Sequence, residues 1–573
     1  MKNILHLVAL CLFTTLAAPA LAEHHQSKNT GTAASAHPDA TRAGFEMLQA
    51  GGSATDAAMA MMLALTVVEP QSSGIGGGGF FLHHDAKQGW MQTIDGREMA
   101  PAAAGSTRFL GEDGKPLPFI QAMPGGKSVG VPGNMRLMEM AHKKWGKLPW
   151  EKLFEPAIRL AENGYVVSVS QASWLRRLQK IWVDFPEARA LYWKDGAPAK
   201  SGSIIKNPEL GALLRELQAD GADAFYTGKT VAAISDVVAN APRSPATITA
   251  DDFANYRAIL RSPVCTSYRV YKICGMGPPS SGATTVLGIL GAIERFDMGK
   301  LYAEEPERAW HVIGESMRLA YADREKYLAD RDFVAVPVDG LIDKDYLASR
   351  SQMIALQRAR PQMPGMETYP AGNPPGSVAR TAAISSEVAG TTHFTAVDAE
   401  GNIANMTSTV EGPFGSQLIA RGMVLNNELT DFTFAPEKDG APVANRVEAG
   451  KRPLSSMSPT IVYNAEGEPI LALGSAGGKR IIMHVTKTLI GVLDYGLSLE
   501  EAMALPNIYY GGSGLLIEKG SGLEALQTDI SRLGHIVVTS GLPSKLAGAQ
   551  KTEEGWIGAV DPRSTGQAVS ELP

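Results

Sequence analysis

Apolar positions along this 573-residue chain change their pattern several times. From Thr41 to Val67 the chain is dense in Ala and Met and reads as helices interrupted at Gly51-Gly52. Residues 130–235 are mostly helical in pattern, and residues 306–328 put Trp310, Ile313, Met317, Ala320 and Tyr321 on one side of a long helix. Met91–Ile94 reads as a strand end, which sets Arg97 on it or just after it. Gly74–Gly79 is too glycine-rich for a regular element. Residues 23–36 carry no pattern and are expected to be disordered. The Pro/Gly/Ser/Ala-rich stretch 359–390 is expected to be a loose connector. From residue 391 to the end, strand and helix patterns alternate, and no internal repeat is visible.

The sharpest local pattern begins at Thr391. Residues 393–397 are rich in aromatic and β-branched types, Asp398–Asn402 suits a five-residue hairpin loop, and 403–409 reads as a second strand. If Val397 pairs with Ile403, Thr391 falls opposite Thr409, and opposed residues sit roughly 5 Å apart at Cβ. A threonine hydroxyl is a weak nucleophile. At a chain start it gains a free α-amine as a neighbouring base. A cut before Thr391 would therefore convert an ordinary strand residue into a reactive one.

Charge and composition narrow the setting. The chain is 44% hydrophobic and 20% charged, in the globular range. Residues 1–22 read as a secretory signal: Lys2, an apolar core from Ile4 to Leu16, and a small-x-small site at Ala20-Leu21-Ala22. The core is too short for a membrane span, and Leu10 before Cys11 argues against lipidation. Removing Lys2 takes the net charge from −6 to about −7, which gives no pull toward nucleic acid. Export points to the periplasm of a Gram-negative cell, or to secretion. There Cys265 and Cys274, facing each other if the segment between them turns at Arg269-Val270, could bridge; otherwise they remain two thiols. No metal-ligand cluster or cofactor motif stands out, and His24-His25 sits in a polar stretch.

Downstream lie Glu411-Gly412-Pro413-Phe414-Gly415, Asn426-Asn427-Glu428-Leu429-Thr430-Asp431, Lys451-Arg452-Pro453-Leu454-Ser455-Ser456 and Gly474-Ser475-Ala476-Gly477-Gly478. Upstream lie the glycine run at 74–79, Arg97-Glu98, Pro278-Pro279-Ser280-Ser281-Gly282 and Tyr321-Ala322-Asp323-Arg324; Asp561-Pro562-Arg563 closes the set. In order and spacing this resembles the gamma-glutamyltranspeptidase family over nearly the whole mature chain. The resemblance implies an α/β, N-terminal-nucleophile hydrolase fold, an αββα four-layer sandwich. It implies self-cleavage at Gly390–Thr391 into a large subunit (23–390) and a small catalytic subunit (391–573) that stay associated as a heterodimer. Thr391 would be the nucleophile and Thr409 its neighbour. Gly477 and Gly478, opening a helix, would form the oxyanion hole. Arg97, Ser455 and Ser456 would take the α-carboxylate of a glutamyl substrate, and Glu411, Glu428 and Asp431 its ammonium. Substrates would be glutathione or related γ-glutamyl compounds, with water, an amino acid or a peptide as acceptor.

Two departures bear on substrate. Residues 432–450 contain no tyrosine, whereas lidded family members close one over the substrate, so a more open cleft is expected. Gly96 stands where many transpeptidases carry phenylalanine, which looks more like the cephalosporin-acylase branch. A glutaryl-type acylase is thus the alternative, although it would not need the ammonium-binding acids. An uncut, inactive binding protein is the reading from another class, and the intact Thr391, Thr409 and Gly477-Gly478 oppose it.

Overall fold

The computed structural model describes residues 30–361, 369–384, 390–511 and 514–571; the signal segment, Cys11 and His24-His25 lie outside them. Before Gly390 the chain supplies strands β1 (Gly31–Ser35), β2 (Gly78–Asp85), β3 (Trp90–Gly96), β4 (Ile259–Arg261) and a hairpin, β5 (Val264–Tyr268) and β6 (Tyr271–Gly275). After it come β7 (Thr391–Asp398), β8 (Ile403–Thr409), β9 (Thr460–Tyr463), β10 (Pro469–Gly474), β11 (Ala547–Thr552), β12 (Gly555–Val560) and β13 (Gln567–Glu571). One sheet has the order β13-β1-β7-β8-β2-β3-β4 and the other β12-β11-β10-β9-β6-β5. Each mixes strands from both sides of residue 390, so a cut there would leave two interleaved pieces sharing both sheets.

Helices cover the outer faces. Helices α1 (Pro38–Gln49), α2 (Ala54–Val68) and α3 (Asn134–Trp145) share a core with Phe394, Ala396, Ala404 and Met406 of the first sheet. Helices α4 (Gly282–Ile293), α5 (Pro306–Tyr327) and α6 (Arg480–Leu493) share the other core with the second sheet and with Phe80, Leu82, Val397 and Ile403. Side chains alternate along a strand. His393, Thr395, Asn405 and Thr407 therefore share the inward face with Val397 and Ile403. They form a polar ladder between the sheets: the His393 ring contacts Thr407 Oγ1 at 2.8 Å, and Asn405 Nδ2 donates to the carbonyls of Thr460 and Leu473 at 3.1 Å each. Burial pushes the His393 imidazole down to about 3, so it stays neutral.

Three expectations change. Residues 31–35 are an ordered strand between β7 and β13, with Ala33 and Ala34 fully buried. The strand touches α1 on one face and the second sheet on the other. That sandwiching tolerates only small side chains, so Gly-Thr-Ala-Ala-Ser shows no hydrophobic signal. Gly78 and Gly79, expected to be irregular, open β2. Their neighbours explain the glycines: a Cβ on Gly77 would lie 2.0 Å from the Thr409 carbonyl oxygen and one on Gly79 2.7 Å from that of Thr407. The connector has no regular element over 369–384, yet Gly372 N donates to Asp323 at 2.6 Å and Ala383 N to the Glu325 carbonyl at 3.1 Å, both on α5. In the β5–β6 hairpin, Cys265 stands opposite Cys274 and is joined to it by a disulfide.

Deleting residues 31–35 leaves β7 with an unpaired edge where β1 stood. The truncated protein should lose solubility, or fail to self-cleave on a denaturing gel, while a truncation ending before Thr30 should do neither.

Candidate active site

Thr391 begins β7 and Thr409 ends β8, and the register pairs them directly. Both lie on the inward face, where the sheets part. Their hydroxyl oxygens are 3.2 Å apart. Thr409 Oγ1 donates to the Gly390 carbonyl at 2.6 Å and accepts from Glu411 N at 2.8 Å. A hydroxyl has one proton to give. Since Thr409 spends its proton on Gly390, the Thr391 O–H must be the donor between the two threonines. Thr409 thus polarises the Gly390 carbonyl and fixes the Thr391 proton, leaving the Thr391 lone pairs free for attack. Gly390 itself is cramped: a Cβ there would sit 2.3 Å from the Glu411 carbonyl oxygen. Glu411 holds φ 74, one of four non-glycine residues with positive φ between 411 and 421.

The candidate oxyanion segment leaves β10 at Gly474, against which the His393 ring packs so tightly that no Cβ would fit. Gly477 (φ 135) and Gly478 (φ 60) then turn the backbone in a way open to glycine before α6 begins at Arg480. Behind the turn, His484 of α6 contacts Ser475 Oγ at 3.1 Å. From the side, Tyr321 Oη donates to the Lys479 carbonyl at 2.5 Å and Lys479 Nζ pairs with Glu325 at 2.7 Å. The backbone N–H groups at the start of α6 carry partial positive charge, as stabilising a developing oxyanion requires.

The remaining expected residues line the same cleft as Thr391 and Gly478. Arg97, just after β3 and 1% exposed, ion-pairs with Glu428 and donates to Asp431 at 2.6 Å and to the carbonyls of Pro453 (3.2 Å) and Leu454 (2.9 Å). In the unbroken chain its donors are thus committed to the protein rather than presented for a bidentate grip on a substrate carboxylate. Glu411 accepts from Asn427 Nδ2. Three carboxylates, Glu98, Glu428 and Asp431, surround one guanidinium. Burial, beyond all else, pushes Glu428 well up and Glu98 up to about 7. The excess of acid suits an incoming ammonium.

Sequence reasoning gave no role to Arg324, yet it completes the clamp. Arg324 Nη2 donates to Ser456 Oγ at 2.8 Å and Nε to Ser281 Oγ at 2.9 Å. An arginine only donates, so Ser456 accepts from it and its own O–H is turned elsewhere, available to a carboxylate. Ser281 in turn donates to the Ser455 carbonyl at 2.7 Å. Glu98 was also passed over, although it adjoins Arg97. The motifs that contain Arg324 and Ser281 were visible; their meeting across 43 residues was not. Gly96 has a packing reason, since a Cβ there would lie 2.7 Å from Leu137 of α3.

The expected open cleft is not what the unbroken chain presents. Thr391 is 5% exposed and Ser455 and Ser456 2% each. Residues 432–450 form a small hairpin, Glu437–Lys438 with Ala441–Pro442, whose Lys438 donates to the Ala382 carbonyl at 3.0 Å. Connector and hairpin are therefore joined while the bond before Thr391 is whole.

Two antiparallel sheets between helical layers, with a threonine opening a central strand, define an N-terminal-nucleophile hydrolase. The chain belongs to the gamma-glutamyltranspeptidase family, whose model matches residues 40–571. It is 36% identical over 514 residues to a glutathione hydrolase proenzyme of Bacillus subtilis (strain 168), covering 89% of this chain and 86% of that one. It is 34% identical over 521 residues to the acylase ACY 1 proenzyme of Pseudomonas sp. (strain SE83), covering 90% and 88%. Among solved structures, cephalosporin acylase from Bacillus halodurans superposes with a TM-score of 0.81 at 23% identity over 98% of this chain and 99% of that one, a likeness of fold. Helicobacter pylori gamma-glutamyltranspeptidase is 38% identical with a TM-score of 0.53, covering 56% of this chain and 90% of that chain. The protein is thus a processed two-subunit enzyme acting on small molecules, and no helix among the described residues is long and apolar enough to cross a membrane.

Thr409→Val keeps the shape and removes the hydrogen bond to Gly390. Self-cleavage, followed on a gel after refolding, should slow by roughly 10²-fold or more, the usual effect of losing one donor to a developing oxyanion. Glu98 yields a pH signature. Its folded pKa is raised to about 7, so the folded state holds a proton that the unfolded chain gives up near the ordinary glutamate pKa, and stability falls as pH rises between those values. Glu98→Gln should flatten that fall and raise the Tm at pH 8 relative to wild type, while the gain vanishes at pH 4.

Proposed function

We propose that the chain cuts itself between Gly390 and Thr391 and then acts as a gamma-glutamyltransferase and glutathione hydrolase. The Thr391 hydroxyl attacks the Gly390 carbonyl carbon; the C–N bond breaks, leaving an ester on Thr391 Oγ1 and a free α-amine. Water hydrolyses the ester, giving a Gly390 carboxylate and the restored hydroxyl. That hydroxyl, with the amine as base, attacks the γ-amide of a glutamyl substrate. The amide nitrogen leaves with a proton, and the γ-glutamyl ester passes to water or to an amino acid or peptide amine. The observation that carries this reading is the single hydroxyl of Thr409, placed on both the Gly390 carbonyl and Thr391. The acid-rich clamp around Arg97 and the hydroxyls of Ser455 and Ser456 support an α-amino acid head group. The signal read over 1–22 supports action in the periplasm.

A second reading, a glutaryl or cephalosporin acylase, is favoured by Gly96 and by the relatives named acylases. It differs in one atom group, since a glutaryl chain has no ammonium to meet Glu411, Glu428 and Asp431.

Purified wild-type protein should run as two fragments whose smaller one begins at Thr391, and Thr391→Ala as one. The wild type should release p-nitroaniline from gamma-glutamyl-p-nitroanilide. An uncut, inactive wild type overturns the enzyme reading; cleavage with turnover of a glutaryl substrate alone transfers the assignment to the acylase.

A further inference from the structure

Helix α5 carries His311 and Glu315 one turn apart, so both project from one face. His535, in the link between α7 (Leu523–Arg532) and the strand Val537–Ser540, meets them there. One ligand atom from each of the three lies within 4.8 Å of the others, and all three residues are buried. The proton positions follow from the partners. His311 Nε2 contacts the Ala355 carbonyl at 2.9 Å, and a carbonyl only accepts, so that nitrogen carries the hydrogen. A neutral His311 then offers Nδ1 as an acceptor, and His535 Nε2, 2.7 Å away, must be the donor. His535 Nδ1 is left with a bare lone pair, shut off from solvent and without a hydrogen-bond partner.

Glu315 Oε1 faces that lone pair at 4.0 Å. Glu315 Oε2 already accepts from Arg360 N and Tyr369 Oη, whereas among the described residues Oε1 accepts from Arg318 alone. The bare lone pair of His535 and the lone pair that Arg318 leaves on Glu315 Oε1 therefore face each other in a buried place, where a cation between them would be held by both. We propose that His311, Glu315 and His535 form a binding site for a divalent transition-metal ion of the zinc class. An ion about 2.0–2.2 Å from each donor bridges the gap between nitrogen and oxygen. A small rotation that carries His535 Nε2–H off His311 frees His311 Nδ1 as the third ligand. The N₂O donor set suits zinc. The hydrogen bonds His311 to Ala355 and Tyr369 to Glu315 are of the kind that orient metal ligands. Burial holds both imidazoles below their ordinary pKa, His535 down to about 3, in the neutral form that ligates.

The ten residues of helix from His311 to Tyr321 span roughly 15 Å. The ion therefore acts on architecture rather than on the reacting bond: it ties α5, whose far end holds the oxyanion turn, to the unit around α7. The test uses the full processed enzyme stripped with a chelator and titrated with Zn²⁺ and, separately, Co²⁺. The site predicts one ion per chain at submicromolar affinity, a visible Co²⁺ ligand-field band, a higher Tm on loading, and little change in kcat. His311→Gln and His535→Gln should each lose the ion. Failure of the wild type to bind, absence of the Co²⁺ band, or equal binding by both variants, as His24-His25 would produce, overturns the proposal. Should a variant fail to fold, the wild-type Co²⁺ spectrum still decides.

Discussion

The pairing of Thr391 with Thr409 is the constraint on which the site hangs. Side chains alternate along β7 and β8, so the same register that opposes these hydroxyls also sends His393, Thr395, Asn405 and Thr407 between the sheets. Asn405 then spends both amide hydrogens on the carbonyls of Thr460 and Leu473 in the second sheet. A slip of one residue would drive this polar set into the Ala- and Met-rich helix layer and bring Phe394 and Met406 between the sheets. Register is thus fixed by the burial of a whole ladder, and Thr391 inherits its position from it.

The second dependence runs through α5. Tyr321, Arg324 and Glu325 are consecutive or nearly so, yet they serve different parts of the site: Tyr321 and Glu325 hold Lys479 at the oxyanion turn, and Arg324 holds Ser456 in the clamp. One rigid helix therefore sets the distance between the candidate oxyanion turn and the candidate head-group clamp. The buried charges would be costly alone. Arg97 among Glu98, Glu428 and Asp431 is tolerated because each donor has an acceptor and because burial itself favours protonation of the surplus acid.

What could be read from sequence follows from the range of each signal. The β7–β8 hairpin and the helix over 306–328 were legible because their patterns are local and periodic. The strand at 31–35 was not, because its order comes from neighbours that arrive from residues 394–398 and 567–571. Its alanines are chosen for lack of bulk rather than for hydrophobic strength. The clamp motifs could be found, but not the commitment of Arg97 to internal acids, which depends on loops meeting across more than 300 residues. His535 is 224 residues from His311, so no spacing rule could join them.

Under the proposed cut before Thr391, one hydroxyl would serve two reactions. Before the cut, Thr409 has an acceptor in the Gly390 carbonyl and donors in Glu411 N and Thr391. The proposed cleavage would remove that carbonyl from the peptide bond and put an α-amine on Thr391, so the proton Thr409 was spending on Gly390 would become free. The hydroxyl that polarised a backbone carbonyl is then in place to bridge the new amine and the Thr391 oxygen. The same event ends the covalent hold of the connector, which Lys438 and Glu325 kept against the hairpin and α5. Under that proposal access and nucleophile strength would change together, and the buried, pre-cut Thr391 would be the closed form of the same site.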